Sequence, residues 1–241
     1  MKARTHNQDN FVIVYDADHI RHPGEHLFDP RHWEEQGALV GKATGRASVL
    51  LLKTEFGPAV LKQYLRGGWA ARVSRHHYVF SGFERSRPMM EFKILEQLSA
   101  AGLPVPEPLA AICRRDGKFY SGWLMTRRIM DAEPLADRVA IRRGDPVMWR
   151  KTGACIRRFH EFGLVHADLN ARNILVGEGD VIHLVDFDRS RIRKGDSRAF
   201  AVNLRRLHRS LQKNWPDSFK GCLESCWILL LEGYDSESIA A

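Results

Sequence analysis

Two short segments constrain this chain more than any other part of it. An apolar run ends in Val165-His166-Ala167-Asp168, Asn173 follows five residues after that Asp, and a second apolar run ends in Val185-Asp186-Phe187-Asp188. Between them, Asn173 to Val176 and Val181 to Val185 are punctuated by Gly177 and Gly179 and read as a short hairpin. A His-x-Asp turn alone is a common helix-capping arrangement. The Asn at this spacing and the Asp-Phe after a hairpin argue against that bland reading. The residue types suit phosphoryl transfer. One carboxylate, Asp168, orients the proton of an attacking hydroxyl, while an amide oxygen from Asn173 and a carboxylate from Asp186 hold Mg²⁺ against ATP phosphates.

The 241 residues suffice for one large domain or two lobes. With 44% hydrophobic and 27% charged residues and no low-complexity tract, the chain has the composition of a folded protein. Its net charge of +8 suits a polyanionic partner: nucleic acid, an anionic membrane surface or a phosphorylated substrate. Cys113, Cys155, Cys222 and Cys226 form no C-x-x-C pair, so buried free thiols are expected. Met1 to Asn10 lacks the apolar core of a signal peptide, and the apolar run Cys226 to Leu231 is too short to span a bilayer. A protein of the cytosol, or of the cytosolic face of a membrane, is expected.

Residues 1–36 read as an irregular N-terminal extension. From Leu39 the pattern becomes strand, glycine turn, strand, turn, strand: Leu39 onward, Ser48 to Leu52, and Ala59 to Tyr64. A basic, aromatic-rich segment follows, with Arg66, Arg72, Arg75, His76, His77, Arg85 and Arg87. Pro88 opens a helix over Met89 to Ala101 that stops at Gly102, and two more strands surround Asp116-Gly117. Five strands and one helix would make a small lobe over 37–126. The large lobe, 127–241, is mainly helical. Its first long helix starts at Asp145-Pro146 and ends at Gly163, and two helices after about Phe200 part near Asn214-Trp215-Pro216.

On these motifs the chain resembles the protein-kinase-like fold, an α+β, two-lobed architecture with an antiparallel β small lobe and a mainly helical large lobe. Within that fold it is similar to the bacterial lipopolysaccharide-core sugar kinases of the 3-deoxy-D-manno-octulosonic acid (Kdo) kinase type, from about Leu39 to Leu211. The resemblance implies Asp168 as catalytic base, Asn173 and Asp186 as Mg²⁺ ligands, and His166 as a structural residue beside the base. It implies that Lys62 binds the α- and β-phosphates of ATP, with Glu91 or Glu96 as its ion-pair partner. Glu91 is preferred because the first half of that helix approaches the cleft. Gly41-Lys42-Ala43-Thr44-Gly45-Arg46 would cover the phosphates through backbone amides at Gly41 and Gly45, although it lacks a full G-x-G-x-x-G pattern. Thr126 to Ile129 would form the hinge against adenine.

Two departures from protein kinases are informative. Ala167 stands where those enzymes carry the Arg that pairs with a phosphorylated activation loop, and Asp188 replaces the Gly after Asp-Phe. Only the short segment Arg189 to Arg198 precedes the next helix, with no Ala-Pro-Glu and no room for peptide docking. Basic residues Arg189, Arg191, Arg193, Lys194 and Arg198 in that segment suit an anionic acceptor. The reading is an ATP-dependent kinase acting on the Kdo 4-hydroxyl of a Kdo-lipid A precursor, peripheral to the inner face of the bacterial inner membrane, with no nucleic acid partner. The helix carrying Phe200, Leu204, Leu207 and Leu211 would bury that stripe in the large lobe, lying on a membrane being the rival role. Rival functions are a heptose kinase of the same pathway, a RIO-like protein kinase, and a basic polyanion-binding pseudokinase or RNA-binding module. The intact set Lys62, Asp168, Asn173 and Asp186 argues against a catalytically dead enzyme, since a pseudokinase has usually lost one of them.

Overall fold

The structure is a computed structural model that describes residues 1–43, 48–65, 78–142, 145–216 and 221–236. The chain forms two compact units. The first holds Met1–Gln97 and Pro106–Arg128, the second Leu98–Val105 and Ile129–Ala241. The expected glycine corner at 44–47, with Gly45, and the basic residues Arg66, Arg72, Arg75, His76 and His77 lie outside the described residues.

The first unit is built on an antiparallel sheet of eight strands. They are β1 (Ala3–Asn7), β2 (Phe11–Asp16), β3 (Leu39–Ala43), β4 (Ser48–Thr54), β5 (Gly57–Gln63), β6 (Tyr78–Val79), β7 (Pro108–Asp116) and β8 (Phe119–Arg127). The order is β1-β2-β7-β8-β5-β4-β3, with β6 also paired to β8. The meander expected from Leu39 is β3-β4-β5.

Residues 1–36 correct the sequence reading. They are not an irregular extension. β1 and β2 extend the sheet through β7, and the following turn and helix α1 (Pro30–Glu35) close over one of its faces. Ile20, Leu27, Phe28 and Trp33 are buried there with Leu50, Leu52, Leu61, Ile112 and Met125. Trp33 donates its indole N–H to the Leu27 carbonyl at 2.9 Å, so its one polar atom is satisfied inside the core. Asp16 ends β2 and organises the turn after it, accepting from the backbone N–H groups of Lys2 and Asp18 and pairing with His19 at 2.8 Å. The mixture of His, Asp and Pro in this stretch is therefore turn chemistry over a shared core.

Helix α2 (Arg87–Ala100) follows a 3₁₀ turn, with Phe92, Leu95 and Leu98 buried. Arg87, the last residue of the basic, aromatic-rich segment, is tied to an aromatic cluster. Its guanidinium lies 4.9 Å from the Tyr78 ring centre and 5.5 Å from that of Tyr64.

The second unit contains β9 (Glu133–Pro134), α3 (Leu135–Arg142), α4 (Pro146–Phe162), β10 (Leu164–Val165), β11 (Ile174–Val176), β12 (Ile182–Leu184), β13 (Arg191–Ile192), α5 (Ser197–Asn214) and α6 (Leu223–Ser236). Helix α4 runs where its end signals put it. The Asp145 side chain caps the Val147 and Met148 N–H groups, and Gly163 closes the helix at φ 94°, which glycine adopts without strain. Buried Trp149, Ile156 and Phe159 form its inner stripe. Helices α4 and α6 approach closely through two glycines. A Cβ at Gly153 would lie 1.9 Å from the Leu230 carbonyl oxygen, and one at Gly233 2.0 Å from that of Arg150. Among the described residues no helix is long and apolar enough to cross a membrane. Cys113, Cys155 and Cys226 are buried free thiols as expected, whereas Cys222 is exposed.

His160, near the end of α4, stacks on Phe200 at 4.4 Å and meets the Tyr234 hydroxyl through Nδ1 at 2.8 Å. Burial pushes its pKa down to about 4.

Two outcomes follow from this packing. A Gly233→Ala change forces backbone apart and should cost about 3 kcal/mol, read as a lowered denaturant midpoint. The unfolded chain protonates His160 near pH 6.5 but the folded chain only near pH 4, so between those values unfolding takes up a proton. Stability from this residue is whole above pH 6.5 and is lost as pH falls toward 4, by about 2 kcal/mol at pH 5. Denaturation at pH 7.5 and 5.0 should show that loss, reduced by a similar amount in His160→Gln. An undiminished loss in the variant would discard His160 as its source.

Candidate active site

In the first unit, Lys62 lies on β5 between Val49 of β4 and Leu124 of β8. Its neighbour Leu61 is fully buried, so the alternation of a strand turns Lys62 to the opposite face. There its ammonium meets both carboxylate oxygens of Glu91, at 2.8 and 2.7 Å. Glu91 sits in the first half of α2 and is only 3% exposed. The Tyr64 hydroxyl donates to Glu91 as well, and the Lys62 ammonium stands 4.8 Å over the Tyr64 ring. Of the two candidate partners, Glu91 makes the pair. Gly41 differs from expectation: it lies within β3 opposite Leu51, next to a register shift, rather than in the turn. Lys42, also in β3, makes an exposed ion pair with Glu34 at 3.4 Å.

In the second unit, hairpin β11–β12 pairs Ile174 with Leu184, and Val185 donates its N–H to the Asn173 carbonyl at 3.0 Å. That register places Asn173 and Asp186 at the same open end of the hairpin. The Asn173 side-chain amide donates to the Asp168 carbonyl at 2.9 Å, which joins the loop to the hairpin and leaves the Asn173 Oδ1 as the atom that could coordinate a cation. Asp186 adopts a left-handed backbone, φ 62°. This turn sends the Asp186 side chain outward and Phe187 inward, where Phe187 is fully buried against Phe159 at 6.1 Å and His166 at 5.1 Å. Asp168 is exposed; its Oδ2 accepts from the Asn170 amide at 3.0 Å and its Oδ1 from Arg206 at 2.9 Å.

His166 is wholly buried, and burial lowers its pKa. Its partners define the tautomer. Nδ1 accepts from the Asp168 backbone N–H at 3.1 Å, so Nε2 carries the proton and donates to the Val185 carbonyl at 3.1 Å. The neutral ring thus bridges the loop to the hairpin strand that ends at Asp186. Ala167 donates its N–H to the Ser190 hydroxyl at 3.1 Å, and β13 pairs with β10. The short segment after Asp186 is therefore folded back on the loop, and Arg189, Arg191, Arg193, Lys194 and Arg198 are all exposed.

Three residues of α5 went unrecognised in the sequence. Asn203 makes a reciprocal pair with the His166 backbone, accepting its N–H at 2.9 Å and donating to its carbonyl at 2.7 Å. Arg206 reaches Asp168, and the Ser210 hydroxyl accepts from the Ala171 N–H at 3.1 Å. Spacings of three and four place them on one helix face. The only available signal was a polar stripe beside the buried Leu207 and Leu211, which by itself reads as solvated surface. Of the apolar stripe, Leu207 and Leu211 are buried as expected, whereas Phe200 and Leu204 are half-buried.

The hard oxygen donors Asn173 Oδ1 and the Asp186 carboxylate fit Mg²⁺, which binds through one or two such groups plus substrate phosphates. Among the described residues no cluster of three or more His, Cys, Asp or Glu forms a self-sufficient metal site. Asn203→Ala should leave the buried N–H and carbonyl of His166 without partners. The expected cost is about 3 kcal/mol by chemical denaturation, with faster amide exchange at His166.

Comparison with known proteins identifies the family. The model of the Lipopolysaccharide kinase (Kdo/WaaP) family matches residues 31–233. A 3-deoxy-D-manno-octulosonic acid kinase of Xanthomonas oryzae pv. oryzae (strain PXO99A) is 44% identical over 203 residues, 84% of this chain and 80% of that protein. The enzyme of the same name from Stenotrophomonas maltophilia (strain R551-3) is 39% identical over 225 residues, 93% of this chain and 89% of that protein. A solved structure, WaaP in complex with acyl carrier protein, matches with a TM-score of 0.53 at 16% identity, covering 95% of this chain and 94% of that chain. That likeness shows the α+β, protein-kinase-like fold. The chain belongs to the lipopolysaccharide kinase (Kdo/WaaP) family.

Proposed function

We propose that this protein is a Kdo kinase of lipopolysaccharide core biosynthesis, transferring the γ-phosphoryl group of ATP to the 4-hydroxyl of Kdo on a lipid A precursor. The observation that carries the reading is the joined set Asp168, Asn173 and Asp186 in a chain 44% identical to a curated Kdo kinase. ATP as donor follows from the kinase family.

Asp168 is the residue that accepts a hydrogen bond from the acceptor hydroxyl and orients its oxygen for attack. Each of its carboxylate oxygens already accepts one hydrogen bond and keeps a further lone pair for the substrate. The two fixed contacts restrict the rotation of the carboxylate, so orientation is prepared before the acceptor arrives. His166 and Asn203 hold the backbone beneath it. Asn173 and Asp186 would hold Mg²⁺, which when bound offsets the negative charge of the phosphates. Lys62, fixed by Glu91, is assigned to the α- and β-phosphates by family resemblance. The exposed basic run Arg189 to Arg198 suits a phosphorylated glycolipid at an anionic surface, which supports a peripheral place on the cytoplasmic face of the bacterial inner membrane.

Purified protein with ATP, Mg²⁺ and Kdo-lipid A precursor should give a monophosphorylated product, with the phosphate on the Kdo 4-hydroxyl by NMR. Asp168→Asn should lower kcat by about 10² to 10⁴ while leaving the melting temperature nearly unchanged. Absence of product from the Kdo acceptor, with turnover of a heptosylated core, would favour a heptose kinase. Full turnover by Asp168→Asn would remove the assignment of Asp168.

A further inference from the structure

Arg206 is not accounted for by stability. Its pair with Asp168 joins two partly exposed side chains, 42% and 59% accessible, and such pairs add little to folding. Yet α5 delivers it with care, because the contacts of Asn203 and Ser210 on either side fix the helix against the loop at His166 and Ala171. One N–H of one terminal nitrogen, Nη1, is engaged by Asp168 Oδ1. A guanidinium has five N–H donors in a planar fork, and among the described residues Asp168 is the one partner of this fork. The remaining donors stand beside the carboxylate that receives the acceptor hydroxyl, with part of the side chain open to solvent.

We propose that Arg206 does two things at once: it positions the Asp168 carboxylate, and it binds the acceptor's own carboxylate with the rest of its fork. The acceptor class is then a sugar acid, carrying a hydroxyl for Asp168 and an anionic carboxylate for Arg206 within one ring. Planar, paired N–H donors match a carboxylate better than a lysine ammonium does, which accounts for Arg rather than Lys at this position. Asp168 and Arg206 together read a hydroxyl and a carboxylate, and a neutral sugar satisfies only one of them. A site that leaves charged donors unpaired discriminates against the analogue lacking their partner. The inference rests on the Kdo kinase reading and adds the group that selects an acidic sugar over a neutral one.

The experiment compares wild type, Arg206→Gln and Arg206→Lys on two acceptors: Kdo-lipid A precursor with its free Kdo carboxylate, and the same molecule as the neutral methyl ester. Wild type should prefer the acid by about 10- to 100-fold in kcat/KM, the scale of a lost charge-assisted pair. Arg206→Gln should bring that ratio close to one, mainly through a raised KM for the acid. Its loss of Asp168 positioning should lower kcat on both acceptors equally. Arg206→Lys should fall between, and it provides the reading should Arg206→Gln fail to fold by thermal melting. A wild-type acid-to-ester ratio retained in both variants overturns the inference, as does a change confined to the KM for ATP. A wild-type protein inert toward the Kdo acceptor removes the kinase reading and this inference with it, whereas an active enzyme with unchanged variant selectivity removes this inference alone.

Discussion

The loop that carries Asp168 depends on one buried side-chain amide. Asn203 accepts the N–H and donates to the carbonyl of the same residue, His166, in surroundings where neither group has water to fall back on. An unpaired backbone group in that position costs about 1–3 kcal/mol, so the pairing fixes the loop to α5 more firmly than any exposed ion pair does. From that point the order propagates along the loop. The neutral His166 ring holds the Asp168 N–H on one side and the Val185 carbonyl on the other, and Asn173 ties the Asp168 carbonyl to the hairpin.

This arrangement makes burial of His166 useful. A protonated imidazole would have no acceptor for the Asp168 N–H, so the low pKa imposed by burial preserves the bridge as well as avoiding a buried charge. Phe187 completes the packing. The left-handed turn at Asp186 lets consecutive residues take opposite fates, with an exposed carboxylate and a buried ring. Ser190 occupies the Ala167 N–H, so the segment after Asp186 is anchored without the Arg and phosphate pair of regulated protein kinases.

Lys62 and Glu91 follow a different logic. Both are largely buried and opposite in charge, and the Tyr64 hydroxyl supplies a further donor to the carboxylate. Removing either partner would strip a largely buried charge of this pairing, which is more damaging than removing both. The pairing was partly legible in advance, since a Lys at a strand end and two Glu residues on the next helix were the candidates. Helical phase decides between them. Glu91 lies on the buried side of α2 and Glu96 is only partly covered.

Local signals in the chain fix local structure. Asp145-Pro146 and Gly163 bound α4, glycines mark the β11–β12 hairpin, and Asp168, Asn173 and Asp186 are spaced by a loop and hairpin of fixed length. The N-terminal residues were misread because Phe11 to Asp16 gains its strand identity only by pairing with β7, a segment about a hundred residues away in sequence. Gly153 and Gly233 look like weak helix positions until α4 and α6 meet at them. Asn203, Arg206 and Ser210 show the same limit: in sequence they are polar residues on an amphipathic helix. Their partners are backbone and carboxylate groups that only folding brings within 3.1 Å. Sequence by itself determined the family and marked the candidate reactive residues, because phosphoryl transfer demands particular donors at particular spacings. Tertiary structure decided which groups hold them still, because a hydrogen bond between distant segments depends on a register no local pattern encodes.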